Sequence, residues 1–246
     1  FAFSITDVWL SLFIDTFSSK TSVSIVISGS NSTISVFLRQ LNDTSKVSLE
    51  FHILSASNSN HFHSFVSSSI DKNKFSHISF VYPSNETNTE VAINDQQRLL
   101  MYVDGQLKSK STQQISYGDL KMLGPQNFII GSGSTMYTPN NDSEYYYSDY
   151  FTPTCTFSGS LDEFRFYHRF RGKTEIYENM RKNVFNDNNL NLYFKFNEID
   201  LGANSNVKSV VIDSSGNSLH TKISNYSANM RKIQTGSKNV FDHMYL

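Results

Sequence analysis

Cysteine and net charge are what this chain has least of. Its 246 residues include one cysteine, Cys155, so no disulfide framework forms within it, and that residue reads as a half-buried structural side chain. Charge is sparse and balanced: 21 Lys and Arg against 22 Asp and Glu leave a formal net charge of −1. Without a basic stretch interleaved with aromatics, nucleic acid is not the expected partner. No apolar run approaches the roughly 18 residues of a membrane span, so no membrane insertion by this segment is expected. The start lacks the pattern of a signal peptide, and a chain that opens on Phe1 reads as an excised piece of something longer.

Proline and glycine are also few, 4 and 11, against 39 Ser, 24 Asn, 20 Phe and 13 Tyr. The aromatic content excludes wholesale disorder, which assigns the Ser/Asn excess to loops and outer faces. Five N-x-S/T sequons occur, at Asn31, Asn42, Asn85, Asn141 and Asn225, and each is a candidate glycosylation site. With this composition, chance alone places about five such triplets in the chain, so they do not decide the compartment.

Short apolar runs separated by polar breaks dominate the rest. Val23–Ile27, Ile34–Leu38, Val47–Leu54, Phe75–Tyr82, Leu99–Val103 and Phe128–Ile130 read as strands, and their spacing argues for an all-β sandwich. Asp104-Gly105 follows Val103 and is the dipeptide of a type I′ hairpin turn. From Phe157 the sequence FSGSLDEFRFY alternates, which places Leu161, Glu163, Arg165 and Tyr167 on one face. A helix is expected from Lys173 to about Lys182. Gly172 would be its N-cap, Glu175 would reach back to the capping N–H, and Ile176 and Met180 would pack on the sheet edge. Asp213-Ser214-Ser215-Gly216-Asn217 reads as a tight turn capped by its Asp.

Four of these segments, in this order, resemble the laminin-G-like jelly rolls of the concanavalin A type. They are the early strand around Trp9, the Phe75-Ser76-His77 strand, Tyr102-Val103-Asp104-Gly105, and Phe157 to Ile176. The resemblance covers residues 1–182 and implies a two-sheet antiparallel jelly-roll sandwich with one short helix. Residues 1–185 are accordingly read as one jelly-roll domain. Residues 186–246 contain LNLYFKFNEID and VVIDSSGNSL, which resemble the segment that normally opens such a domain. Either they begin a second tandem repeat, which is the expectation, or they fold back and supply a strand completing the first.

The resemblance also implies recognition rather than catalysis. Some relatives of this fold are glycosidases with a Glu-x-Asp-x-x-Glu strand, but the corresponding string here is Ser160-Leu161-Asp162-Glu163-Phe164-Arg165. The paired carboxylates cannot be assembled, and no enzymatic activity is expected. His61-x-His63, with His52 and His77 nearby in sequence, could present a metal pair, yet the surrounding SASNSNHFHSF reads as a loop without a completing ligand. No cofactor is certain. By analogy with the rims of such domains, Ca²⁺ would be held by Asp142, Glu144 and Asp149.

The richest candidate surface is Tyr137 to Phe151. Tyr137, Asn141, Asp142, Tyr145, Tyr146, Tyr147 and Tyr150 combine aromatic contact area with polar hydrogen-bonders, the composition of a recognition loop. The alternative is a long loop whose tyrosines pack down on the domain. The functional expectation is a recognition or adhesion module of a larger, extracellular or cell-surface protein. Its partners would be a glycan or protein ligand and other domains of the same polypeptide. The rival is a purely structural domain within a large assembly or a multidomain membrane protein.

Overall fold

A computed structural model describes residues 7–14, 22–28, 32–41, 43, 45–57, 60–82, 97–112, 114, 127–130, 136–139, 147–151, 159–184, 187–198, 209–224 and 226. Among these, the protein is built of antiparallel β-strands with one short helix. The first sheet has six strands. Its order is β13 (Leu190–Phe194), β12 (Gly159–Tyr167), β1 (Asp7–Ile14), β6 (Phe75–Val81), β7 (Leu100–Val103) and β8 (Gln106–Lys110). The second has five, in the order β5 (Asn60–Asp71), β4 (Lys46–Ser57), β3 (Ser32–Gln40), β2 (Ser22–Ser28) and β9 (Asn127–Ile130). Two further pairs stand apart: β10 (Met136–Pro139) with β11 (Tyr147–Phe151), and β14 (Val210–Val211) with β15 (Thr221–Lys222).

The two large sheets face each other across one core, as an all-β sandwich requires. Ile34, Val36, Leu49, Phe51 and Ile53 of the five-stranded sheet meet Ile78, Phe80, Met101, Phe164 and Phe194 of the six-stranded one. Phe51 and Phe80 stack across the gap, with ring centroids 4.4 Å apart and planes 8° from parallel. This stacking joins the two layers at the level of the central strands. The strand alternation that produces the core is visible in β4, where Val47, Leu49, Phe51 and Ile53 are all buried.

Three sequence expectations are revised. First, SASNSNHFHSF is not a loop: β4 and β5 form one long hairpin, paired from Lys46↔Asp71 to Ser57↔Asn60. The strand is hard to see because its inward positions are Ser64, Val66, Ser68 and Ile70, only half of them apolar. Second, β12 does not keep one alternation. Trp9 pairs with Arg165 but Ser11 pairs with Asp162, so Glu163 and Phe164 oppose a single residue in a bulge. Glu163 takes φ +54°, and beyond it the faces exchange: Leu161 packs on the core with Phe164 and Phe166, while Arg165 and Tyr167 face the other way. Third, α1 (Lys173–Asn179) is shorter than expected and lies on the outer face of the six-stranded sheet rather than at its edge. Ile176 packs there against Val81, Leu100, Tyr102, Tyr167 and Tyr193. Gly172 is the N-cap, but the Glu175 carboxylate is engaged by Arg171 at 2.7 Å.

The β7–β8 turn is as read from the sequence: Asp104 and Gly105 have φ of +50° and +72°, the two left-handed positions of a type I′ turn. Asp104 also ties the turn to β6. Its N–H donates to His77 O at 2.8 Å, and its Oδ1 accepts from His77 N at 2.9 Å. Gly105 is required a second time by packing, since a Cβ there would lie 2.7 Å from Tyr177 Cδ2 on α1. Residues 190–194 form the edge strand β13, with Phe164↔Phe194 and Arg165↔Tyr193 in register.

Gly105→Val is therefore expected to destabilise the protein by about 2–3 kcal/mol, from strain at positive φ plus the clash with α1. Urea unfolding checks the value. Tyr177→Ala should recover part of the loss in the double variant, because it removes the clash and leaves the strain.

Candidate functional site

The residues singled out from sequence fall in three places. Tyr137 lies in β10 and Tyr147, Asp149 and Tyr150 in β11, where the register sets Tyr137 opposite Tyr150, Thr138 opposite Asp149 and Pro139 opposite Tyr147. The Tyr-rich segment thus has the backbone of a hairpin on its own two-stranded sheet. Asn141, Asp142, Glu144, Tyr145 and Tyr146 lie outside the described residues, as do Cys155 and all five sequon asparagines, Asn31, Asn42, Asn85, Asn141 and Asn225. Among the described residues, no group of three or more His, Cys, Asp or Glu side chains is placed to hold a metal.

The second place is the outer face of the six-stranded sheet, and it is closed. Arg165 is 2% exposed there, and its guanidinium meets the Glu163 carboxylate at 2.5 Å. It also donates to Asn179 O at 3.0 Å, to Lys182 O and to Tyr193 Oη at 3.3 Å. Tyr193 Oη hydrogen-bonds Glu163 and lies 3.0 Å from Asn183 Oδ1. Burial by itself would lower the Arg165 pKa, but Tyr193 and Glu163 beside it hold it above its ordinary value. Burial pushes the Tyr193 phenol up, with Arg165 opposing and Glu163 adding to the rise. These groups are bonded to one another and to the carbonyls that end α1. They form a structural clamp beneath α1.

A second carboxylate latches β13. Asp213 accepts from Tyr193 N at 3.0 Å, Ser215 N at 2.9 Å, Leu219 N at 3.0 Å and Ser215 Oγ at 2.8 Å. Burial would raise its pKa, yet these donors to the charged form outweigh burial and hold it below the ordinary carboxylate range. Gly216, at φ +93°, completes the turn.

The third place is the outward side of the β4–β5 hairpin, exposed along β5. The register of β4 and β5 builds three rows: His52 opposite Phe65, Glu50 opposite Ser67, and Ser48 opposite Ser69. Phe65 is 49% exposed, and Ser67 and Ser69 are exposed beside it. His52 is buried beside Phe65, their rings stacked at 5.3 Å and 13°, and its Nε2 lies 3.2 Å from Glu50 Oε2. Of these residues the sequence reading considered only His52, and only as a metal ligand. The signal available for the rest was an aromatic, Phe65, in phase with Ser67, Ser69 and Asp71 on the polar side of a strand.

No protein-family model matches the sequence, and no curated protein matches it. Among solved structures, the chain is similar to the crystal structure of a candidate carbohydrate binding protein from Bacteroides ovatus. The identity is 14% and the TM-score 0.50, over 88% of this chain and 51% of that one. The chain therefore spans about half the length of its solved neighbour, and at this identity the likeness is one of fold.

One buried group makes the closed face pH-sensitive. His77 sits on β6 beneath the lid, where burial, and secondarily the Arg165 charge, push its pKa down to about 3. An unfolded histidine near pKa 6.5 binds a proton that the folded one refuses. Stability is then complete above about pH 6.5 and falls as the pH drops towards 3, by at most about 1.4 kcal/mol per pH unit from this group. Urea unfolding at pH 7, 6 and 5 is expected to show this slope, and His77→Gln is expected to flatten it.

Proposed function

We propose that the chain is a non-enzymatic recognition module of a larger protein, laminin-G-like in kind, whose ligand is a glycan. The observation that carries this reading is the contrast between the two outer faces of the sandwich. One is sealed by α1 and a buried ion-pair network. The other exposes, along β5, the hydroxyls of Ser67 and Ser69 and half of the Phe65 ring. That mixture of polar groups around an amphipathic platform suits a polyhydroxylated ring. The carbohydrate-binding description of the Bacteroides ovatus protein of similar fold supports the same ligand class. The absence of a Glu-x-Asp-x-x-Glu strand supports binding without hydrolysis.

The Tyr-rich hairpin, residues 137–151, is the second contact zone in this proposal, and a rim Ca²⁺ would draw on Asp142, Glu144 and Asp149. Thermal melting with Ca²⁺ and with chelator tests the ion. A glycan array tests the reading as a whole: selective retention of one glycan class is expected, without release of reducing ends. Protein-only binding, or no ligand at all alongside assembly with other domains, would favour the structural alternative.

Replacing Tyr145, Tyr146 and Tyr147 together by Ser separates the two readings of the hairpin. As a recognition surface it is expected to keep its melting temperature and lose affinity, since one aromatic hot spot is commonly worth about 2 kcal/mol or more. A stability loss of about 3 kcal/mol or more with unchanged binding would mean that the tyrosines pack on the domain.

A further inference from the structure

We propose that β5 is a self-association edge: two copies of the chain pair their β5 strands antiparallel about a twofold axis, joining their five-stranded sheets into one. The inference uses the edge of the sheet rather than its face, so it stands independently of the glycan reading. A terminal strand presents a row of backbone donors and acceptors, and proteins blunt such edges with short strands, lysines, prolines, bulges or a covering segment. Among the described residues the two large sheets end on four strands, β13, β8, β5 and β9. Three of them follow that practice. β9 has four residues, β8 has five with Lys108 and Lys110 and a register shift against β7, and β13 is finished by the Asp213 turn. β5 does not. It runs for 12 residues, pairs with β4 without a register shift, and holds no Lys, Arg, Asp, Glu or Pro from Asn60 to Ile70.

The ladder shows which backbone groups look outwards. Lys72 N donates to Ser45 O at 2.9 Å, one step beyond the Lys46↔Asp71 pair, so Ser45 and Lys72 form a hydrogen-bonded pair. Bonded and non-bonded pairs alternate along an antiparallel ladder. Ile70, Ser68, Val66 and Ser64 therefore turn their N–H and C=O towards β4, while Asp71, Ser69 and Ser67 turn theirs to the outer edge. These three residues are exposed, and Ser69 O is reached by the Ser68 hydroxyl at 3.5 Å within its own strand. Among the described residues, β4 is the one strand paired with β5.

A second copy is the occupant that this edge fits. The outward groups meet only if odd-numbered positions of one strand face odd-numbered positions of the other, which a twofold axis at a residue position provides. Placed at Val66, the axis keeps residues 61–71 of both copies in register, about 33 Å of ladder. Ser67 then lies opposite Phe65, and Asp71 opposite His61, so the two Asp71 carboxylates are a strand length apart. The same operation on β8 would set Lys108 and Lys110 of one copy beside those of the other, where like charges repel. Opposed residues of a ladder share a face. The buried Val66 and Ile70 of both copies thus stay on the core side, and the outward side of β4 and β5 remains uncovered. Such an isologous contact closes at two copies.

Sedimentation equilibrium of the whole chain across a dilution series is the test, and a reversible monomer–dimer equilibrium is expected. Ser67→Pro removes an N–H that β4 does not use, and the twofold removes it twice, so dimerisation should weaken about tenfold or more. Ser67→Lys combined with Ser69→Lys should abolish it while keeping every backbone donor. Leu107→Ser on β8 should leave it unchanged. Hydrogen exchange of the unsubstituted chain needs no variant to fold. The amides of Ser67, Ser69 and Asp71 should be slow at high concentration and fast on dilution, whereas those of Ser64, Val66, Ser68 and Ile70 should be slow throughout. A chain that stays monomeric at every concentration overturns the proposal. A dimer indifferent to both β5 variants, with concentration-dependent exchange elsewhere, overturns the edge. Growth beyond the dimer overturns the twofold.

Discussion

The arrangement of the C-terminal half depends on one buried guanidinium. Arg165 sits on the outward side of β12 because the bulge at Glu163 and Phe164 exchanges the faces of the strand just before it. From there it gathers what would otherwise be loose ends: the carbonyls of Asn179 and Lys182 after α1, the hydroxyl of Tyr193 on β13, and the Glu163 carboxylate. Free carbonyls at a helix C-terminus need donors, and a buried cation needs acceptors; each need meets the other here. Breaking such a buried pair on one side generally costs about 3–5 kcal/mol, because the remaining charge stays desolvated. A second cation repeats the pattern nearby: Arg171 stacks over Tyr167 at 3.9 Å and bridges Glu175 and Asp187.

This clamp fixes the division of labour between the two sheets. With α1 held down, Ile176, Tyr167 and Tyr193 build a small second core on the outer face of the six-stranded sheet, and His77 is sealed beneath it as a neutral imidazole. On β5, Ser67, Ser69 and half of Phe65 meet solvent.

The Asp213 turn makes an analogous point for β13. Its carboxylate accepts the Tyr193 N–H, and Phe194 bridges to Asp213 at the edge of the six-stranded sheet. Asn217 Nδ2 adds bonds to the carbonyls of Leu190 and Asn191. Residues 19 to 27 positions downstream thus finish the edge that β13 would otherwise leave open, one of the ways in which sheets protect their edges.

Much of the fold was legible in the residues. The apolar runs at Ile34–Leu38, Val47–Leu54 and Phe75–Tyr82 specify strands by their own periodicity, Asp104-Gly105 specifies its turn by positive φ, and Asp213 to Asn217 specifies another. These are local preferences, settled by neighbours in the chain. The rest was decided by distant partners. The polar β5 became a strand because β4 offered a complete ladder, and the faces of β12 exchanged because β1 accepted a bulge. Glu175 left the helix cap for Arg171. The meeting of Glu50, His52 and Phe65 was likewise out of reach, since they belong to two strands whose register is set by the whole hairpin. Periodicity fixes which side of a strand a residue occupies; only pairing and burial fix which residues share it and whether that side is covered.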